Sequence, residues 1–245
     1  MKAMILAAGR GERLRPLTDT LPKPLLPVAG KPLIEYTIAS LVASGFQDIV
    51  INLSYLGHCI ESVLGNGSRF NARLIYSNEG ECGLETAGGI VHALPLLGED
   101  PFLVVNGDIL TDYPFARLRE RVVENASAFL VMVRNPAHHP AGDFAIQEGR
   151  VVASGDERLT FSGIGLYSPS FFAGCPRGKS PLAPLLRDAM QRGRIGGEFY
   201  EGFWMDLGTI ERYREAEQAI KRGQSALREA IDDERRCPRS SPRFR

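Results

Sequence analysis

The sequence lacks a charge excess and lacks any long hydrophobic run. Lys and Arg together number 29, as do Asp and Glu, so the formal net charge of the 245 residues is zero. Nucleic-acid carriers usually have a basic excess or a basic stripe, so we predict no nucleic-acid partner. No stretch approaches the roughly 20 apolar residues of a membrane-spanning helix, and we therefore predict no membrane association.

Cysteine is scarce and scattered, at Cys59, Cys82, Cys175 and Cys237. The four residues form no C-x-x-C pair and have no Cys/His ligand spacing, which argues against a disulfide framework and against a zinc site. The apolar run at the N-terminus stops at Gly9-Arg10 and is too short for a usual signal peptide. We therefore expect a soluble, cytoplasmic protein with free thiols.

Apolar residues make up 44% and charged residues 24% of the chain, which is typical of a globular protein. The first half alternates apolar strands with helices, and repeated βα units favour parallel pairing. We predict a single α/β domain over residues 1–222, with a Rossmann-like mixed, mainly parallel sheet flanked by helices. Its N-terminal half has strands at 3–8, 48–52, 73–76 and 102–106 and helices at 32–44, 57–64 and 86–97.

The second half of the sequence is richer in short strands. We predict strands at 128–133, 144–147, 151–153, 161–167 and 199–205 and helices at 182–191 and 210–222. Residues 223–245 are charged, contain Pro and Ser, and lack apolar periodicity. For this tail we expect a frayed helix followed by disorder.

A glycine-rich turn follows the first predicted strand. Gly9 and Gly11 permit a close approach of the backbone, and Arg13 and Lys23 supply fixed positive charge. The turn is neither a Walker A loop nor G-x-G-x-x-G, because Leu14 stands in the place of the third glycine. Backbone N–H groups and cations in this arrangement are suited to binding a polyphosphate.

Two aspartates follow apolar segments elsewhere in the chain. Asp108 comes after Gly107 at the end of a predicted strand, where open α/β sheets bind their ligands. Asp206 precedes a helix that begins after Thr209. From position alone, each aspartate could equally cap the segment that follows it. Two carboxylates facing one phosphate-binding loop would form a Mg²⁺ site.

His138 and His139 lie between two prolines, and this setting favours solvated loop histidines over a metal site or a general base. A cationic cluster of these histidines with Arg134 would nevertheless suit an anionic sugar. Trp204 is predicted to lie in the core.

Residues 6–18 (LAAGRGERLRPLT) and 22–28 (PKPLLPV) resemble the signature of the sugar-1-phosphate nucleotidylyltransferases. The resemblance continues at Gly107-Asp108 and at residues 206–209, and so spans about residues 1–222. It implies a nucleotidyltransferase fold similar to GT-A enzymes. It also implies an Mg²⁺-dependent enzyme whose substrates are a nucleoside triphosphate and a sugar 1-phosphate. We predict no protein partner.

The resemblance also assigns roles to individual residues. Nucleotide binding is expected at Ala8, Gly9, Gly11, Glu12, Arg13, Lys23 and Gly88. Arg13 would steady the β- and γ-phosphates and the leaving pyrophosphate, and Lys23 would bridge the α-phosphate and the sugar phosphate. The same resemblance assigns Mg²⁺ binding to Asp108 and Asp206. Weaker signals place the sugar at Asn106, Gly142 and Asp143.

The sequence departs from the family pattern in two places. Glu85 replaces the first glycine of a Leu-Gly-Thr-Ala-Gly run that seats the base, and residues 152–157 replace a Glu-Lys-Pro segment that holds sugar hydroxyls. The second departure indicates an unusual sugar. Glu79 and Glu81 are candidates for reading the base edge.

Within the family, the chain most resembles the N-acetylmuramate-1-phosphate uridylyltransferases of Gram-negative cell-wall recycling. This resemblance implies uridylyl transfer from UTP to N-acetylmuramic acid 1-phosphate, with release of pyrophosphate. The alternatives are a mannose-1-phosphate guanylyltransferase and a sensor that binds a nucleotide sugar without turnover. A Rossmann oxidoreductase is disfavoured, because the third glycine is missing and Pro22-Lys23-Pro24 follows.

Overall fold

The computed structural model describes residues 1–123 and 127–221, so the predicted tail from residue 223 lies outside the described residues. The strands of this part of the chain are β1 (Ala3–Leu6), β2 (Pro27–Val28), β3 (Lys31–Pro32), β4 (Asp48–Leu53), β5 (Arg73–Asn78), β6 (Phe102–Asn106), β7 (Ile109–Thr111), β8 (Ala128–Val133), β9 (Phe144–Gln147), β10 (Arg150–Val152), β11 (Arg158–Tyr167), β12 (Ile195–Tyr200) and β13 (Trp204–Asp206). The α-helices are α1 (Leu33–Ala43), α2 (Gly57–Leu64), α3 (Glu85–Leu97), α4 (Ala116–Arg119), α5 (Leu182–Gln191) and α6 (Ile210–Lys221). None of these helices is both long and apolar enough to cross a membrane.

Nine strands form one sheet in the order β5-β4-β1-β6-β11-β8-β12-β10-β9. The first four are parallel, as the βα repeats predict. The second half of the chain adds both antiparallel pairs and the parallel pair β8–β12. The predicted mixed α/β sheet is thus confirmed, and its parallel part lies mainly in the N-terminal half.

Two large apolar clusters cover opposite faces of the sheet. Side chains of β1 alternate between them, because neighbouring residues of a strand point to opposite faces. Ala3 and Ile5 join the cluster that includes α1 and α2, whereas Met4 joins the cluster that includes α3 and α5. The strand is apolar throughout since it is buried on both faces. Trp204 packs at the edge of the first cluster and is only partly buried.

The predicted single strand at 199–205 is wrong. The chain instead forms β12, which ends at Tyr200, and β13, which begins at Trp204. The short strand β13 pairs antiparallel with β7, a strand that sequence patterns did not predict. In this pairing Asp206 is opposite Ile109, and the N–H of Leu207 donates a 2.8 Å hydrogen bond to the carbonyl of Asp108. The two-stranded unit therefore brings both predicted metal-binding aspartates to one place.

Candidate active site

A cleft of about 990 Å³ lies over the carboxyl ends of β1, β4 and β6. This is where the crossover topology of an open α/β sheet leaves room for a ligand. Predicted nucleotide residues that line the cleft are Ala8, Gly9, Gly11, Glu12, Arg13 and Lys23. Asp108 and Asn106 also line it. The structure therefore brings most of the predicted site residues together.

The loop after β1 folds back on itself. Gly11 has a φ of +68°, which favours glycine, and a Cβ there would lie 3.0 Å from the Thr18 methyl group and 3.1 Å from Lys23 Cβ. The Thr18 hydroxyl donates a 2.9 Å hydrogen bond to the carbonyl of Gly11. Gly9 differs, because no heavy atom lies within 4 Å of a Cβ built on it. Gly11 is thus required by the loop itself, whereas Gly9 leaves open space facing the cleft.

Lys23 and Asp108 form an ion pair in the cleft. Nζ of Lys23 lies 2.5 Å from Oδ2 of Asp108, and the lysine side chain is only 11% exposed. Pro22 and Pro24 flank the lysine in a short 3₁₀ turn, which restricts its backbone. A lysine ammonium held this firmly is positioned to contact a bound phosphate.

Asp206 belongs to a second charged cluster. Its Oδ2 accepts a hydrogen bond from Arg212, a residue of α6 that is buried to 9% exposure. Its Oδ1 lies 3.1 Å from Nε2 of His138, but no described group donates a hydrogen bond to this buried oxygen. His138 Nε2 is also 2.7 Å from a guanidinium nitrogen of Arg212. Asp206 therefore retains an unsatisfied oxygen beside two cationic or ionisable groups.

The two histidines are not the purely solvated pair that the sequence suggests. His138 contacts Asp206 and Arg212, and His139 lies 3.1 Å from Oδ1 of Asp143. Arg134 does not join them; it is exposed and lies 3.7 Å from Glu201. The prolines correctly predicted a loop, but long-range contacts determine the partners of the rings.

The residues present fit a divalent cation. The backbones of Asp108 and Asp206 are neighbours, Asp108 lines the cleft although Asp206 does not, and Oδ1 of Asp206 is buried without a donor. Two such carboxylates suit Mg²⁺ when phosphate oxygens and water complete its coordination. No group of three His, Cys, Asp or Glu side chains within residues 1–123 and 127–221 forms a complete protein-only metal site. Substrate phosphates would have to provide the remaining ligands.

A buried polar network supports the opposite end of the cleft. Asn52 Oδ1 accepts a 2.6 Å hydrogen bond from the N–H of Ala7, and Asn52 Nδ2 donates a 2.6 Å hydrogen bond to Glu79 Oε1. The other oxygen of Glu79 accepts a 2.7 Å hydrogen bond from the N–H of Leu84. Both carboxylate oxygens of Glu79 therefore accept hydrogen bonds from the protein, and Glu79 helps to fix the loop at residues 80–84. Glu81 also lines the cleft.

Gly88 does not line the cleft. It is buried in α3, where its N–H donates a 3.0 Å hydrogen bond to Ser180 O and its Cα packs against the backbone of Gly178. The structure thus places Gly88 behind the lining of the cleft, and its contact with the nucleotide stays a prediction. The glycine is needed for close packing of two backbone segments.

A second cavity of about 480 Å³ adjoins the cleft. Both cavities are lined by Glu85, Thr86 and Asn106. Of the predicted sugar residues, Asn106 and Asp143 line the second cavity. Gly142 lines neither cavity; it lies in a turn with a φ of +60° against the Asn135 side chain, and its sugar contact stays a prediction.

Glu85 has a φ of +60° at the boundary between the two cavities. The family resemblance implies a glycine at this position, and glycine adopts a left-handed backbone more readily than other residues. A non-glycine residue held in this conformation costs about 1 kcal/mol or more, and such strain is concentrated at functional sites. Glu85 is thus a departure from the family pattern at a point where both ligands would meet.

Sequence reasoning missed several residues of the site. Arg10 lines the cleft and stacks 3.7 Å from the ring centroid of Tyr55, and one of its guanidinium nitrogens is buried without a hydrogen-bond partner among the described residues. Asn52 and Arg212 were also missed. Asn52 follows an apolar strand and could have been found by the rule that identified Asp108. Arg212 could not have been found, because no sequence pattern distinguishes it from the other charged residues of the amphipathic helix α6.

Comparisons with known proteins agree with this geometry. Residues 2–157 match the model of the Nucleotidyl transferase family. The chain is 52% identical over 224 residues, covering 89% of this chain and 97% of the relative, to an N-acetylmuramate alpha-1-phosphate uridylyltransferase of Neisseria meningitidis serogroup B. A mannose-1-phosphate guanyltransferase of Hypocrea jecorina is 36% identical, but the match covers 85% of this chain and only 61% of that protein.

The fold also matches solved structures. A putative glucose-1-phosphate thymidylyltransferase from Bacillus anthracis superposes with a TM-score of 0.80 at 24% identity, over 90% of this chain and 95% of that one. This likeness supports the fold alone. The family model and the 52% identical relative go further, and together they establish that the chain belongs to the nucleotidyl transferase family.

Proposed function

We propose that the protein transfers a uridylyl group from UTP to N-acetylmuramic acid 1-phosphate and releases pyrophosphate. The observation that carries the proposal is the ion pair between Lys23 and Asp108 in a cleft formed by a phosphate-binding loop. The choice of substrates rests on the 52% identical relative, which matches almost the whole chain. The mannose-1-phosphate guanyltransferase is a more distant relative and supports the alternative less well.

In this reaction a phosphate oxygen of the sugar phosphate attacks the α-phosphorus of UTP, and pyrophosphate leaves in line. The attacking oxygen is already an anion, so no general base is needed. The work of the protein is to align two anions and to offset their repulsion. A cleft with fixed cations at the sheet edge provides for both.

Each charged residue has a role in this proposal. Lys23 contacts the α-phosphate and the sugar phosphate, and Arg13 stabilises the negative charge that develops on pyrophosphate. Both side chains line the cleft. Asp108 holds Lys23 in place before the substrates arrive.

Asp108 and Asp206 would hold a divalent cation, for which Mg²⁺ is our proposal. When bound, that cation would supply positive charge that offsets the repulsion between the two phosphates. Lys23 and Arg212 each occupy one oxygen of these carboxylates in the structure. Both cations would therefore share their carboxylates with the metal or release them.

We also propose that the reaction takes place in the cytoplasm and supplies a nucleotide sugar during peptidoglycan recycling. These assignments follow from the proposed substrates, since UTP is a cytoplasmic nucleotide. No protein partner is needed for the chemistry.

The test is a matrix of four nucleoside triphosphates against N-acetylmuramic acid 1-phosphate, mannose 1-phosphate and glucose 1-phosphate. Pyrophosphate release is measured with and without Mg²⁺. We expect release with UTP and N-acetylmuramic acid 1-phosphate in the presence of Mg²⁺. Release with GTP and mannose 1-phosphate alone would favour the guanylyltransferase, and nucleotide-sugar binding without release from any pair would favour the sensor.

A further inference from the structure

The second cavity contains arginines that the proposed chemistry does not use. Arg158 and Arg187 line it, and they come from β11 and α5. The cavity opens to the nucleotide cleft at Glu85, Thr86 and Asn106. A sugar whose phosphate lies beside Lys23 would therefore extend into it.

Both guanidinium groups remain available to a ligand. Among the described residues, Arg187 makes no hydrogen bond or ion pair. Arg158 donates a 2.5 Å hydrogen bond to the backbone carbonyl of Asp143 and forms no ion pair within the same residues. Each guanidinium has five N–H donors, so most of the donors of both groups are free.

The acidic side chains of the cavity do not neutralise these arginines. Asp143 uses one carboxylate oxygen to accept a 2.9 Å hydrogen bond from the N–H of Phe161, and the other lies 3.1 Å from Nε2 of His139. Glu85 lies at the boundary with the nucleotide cleft. Arginine without a carboxylate partner beside a substrate cavity is the arrangement that recognises an anionic ligand group in a planar, bidentate way.

The remaining wall of the cavity is apolar. It includes Phe144, Phe161, Leu182 and Leu186, of which Phe144 and Leu186 are almost fully buried. Such a wall suits the methyl groups of acyl and lactyl substituents and the C–H face of a pyranose ring. It offers nothing to hold a second phosphate.

We propose that this cavity selects a sugar that carries a carboxylate, and that Arg187 and Arg158 hold that carboxylate through charge-assisted hydrogen bonds. This inference rests on the proposed function, whose sugar bears a lactyl carboxylate. It names specificity-determining residues that a neutral sugar such as mannose would not require. It also explains how a chain without the family's Glu-Lys-Pro segment orients its sugar.

The test compares three substrates with UTP: N-acetylmuramic acid 1-phosphate, its lactyl methyl ester, and N-acetylglucosamine 1-phosphate. Pyrophosphate release gives kcat and KM for the wild type and for Arg187→Gln and Arg158→Gln. In the wild type we expect the acid to exceed the ester in kcat/KM by about tenfold or more, the scale of one charge-assisted contact. In Arg187→Gln the acid should lose this advantage, mainly through a higher KM, while the ester and N-acetylglucosamine 1-phosphate are unaffected.

Arg192→Gln is the matched control. Arg192 follows the same helix, is paired with Asp188, and lines neither cavity, so its variant should keep the wild-type ratio of acid to ester. Thermal unfolding of each variant should match that of the wild type, because Arg158, Arg187 and Arg192 are all exposed.

Two results would overturn the inference, and they are distinguishable. The inference fails and the proposed function stands if the wild type turns over the acid but has equal kcat/KM for acid and ester. The same conclusion follows if neither arginine variant changes the ratio of the two kcat/KM values. If only a neutral sugar phosphate is turned over, both fail together.

Discussion

Lys23 and Asp108 are 85 positions apart in the chain, yet Nζ and Oδ2 lie 2.5 Å apart in the cleft. The lysine belongs to the loop after β1 and the aspartate follows β6, and these two strands are parallel neighbours in the sheet. Parallel pairing therefore brings the lysine proposed to bind phosphate and the aspartate proposed to bind metal to the same edge of the sheet. The candidate active site is a direct consequence of this strand order.

Replacement of Lys23 by alanine tests this pair. We expect Lys23→Ala to lower kcat by about a hundredfold or more, the scale of losing one preorganised electrostatic contact. The protein should remain folded, because Asp108 is one-third exposed and water can solvate it. Pyrophosphate release and thermal unfolding measure the two effects. Arg15→Gln is the control: Arg15 forms an exposed ion pair with Asp19 outside the cleft, and near-wild-type turnover is expected. Equal turnover in both variants would contradict the role of Lys23.

Replacement by alanine is predicted to affect ligand binding at Gly9 and protein stability at Gly88. Gly9→Ala places its methyl group in open space, so the free energy of unfolding should change by less than about 0.5 kcal/mol while UTP binding weakens. Gly88→Ala drives its methyl group into Gly178 O and to 3.1 Å from Leu84 Cβ, and should destabilise the protein by about 1–3 kcal/mol. Chemical unfolding and titration calorimetry with UTP distinguish the two effects. Loss of stability in Gly9→Ala with intact UTP binding would contradict this assignment.

Arg212 is predicted to act as the resident counter-ion of Asp206. Removing a buried partner leaves an uncompensated charge, so Arg212→Gln should lower the free energy of unfolding by about 2–3 kcal/mol in the absence of metal. Mg²⁺ should restore part of this loss, since it supplies positive charge at the same carboxylate. Melting temperatures with and without MgCl₂ test the idea, with Arg214→Gln, an exposed position on the same helix, as the control. An equal Mg²⁺ effect in all three proteins would disprove it.

The buried tyrosines should make the stability of the folded protein fall at alkaline pH. Burial, followed by the hydrogen bond that its hydroxyl donates to Glu198, raises the pKa of Tyr113 well above its usual value. A group whose folded-state pKa is raised contributes stability below its unfolded pKa of about 10 and loses that contribution as pH rises further. The wild type should therefore lose stability above about pH 10. Tyr113→Phe should be about 1 kcal/mol less stable at neutral pH but lose less on going to pH 11, as measured by urea unfolding.

An alkaline loss of the same size in Tyr113→Phe and the wild type would show that other groups control it. Tyr36 is the next candidate, because burial raises its pKa to about 12.

Local patterns predicted most of the elements near the site. The apolar run of β1, the helix from Leu33 and the strand before Asp108 all arise from short-range signals: continuous hydrophobicity, glycine and proline. The strand at 199–205 was the clearest failure. Its apolar residues look continuous in sequence, but the chain leaves one sheet and enters another between Tyr200 and Trp204.

The sequence by itself determined the composition of the glycine-rich loop after β1, the identity of the acidic residues and the alternation of strands and helices, because each depends on neighbours within a few positions. Only the tertiary structure decided that the backbone of Asp206 lies beside that of Asp108, that Arg212 and His138 contact Asp206, and that Gly88 packs against backbone behind the lining of the cleft. These relationships join residues that are far apart in the chain. They depend on strand order and helix packing, which no local pattern specifies.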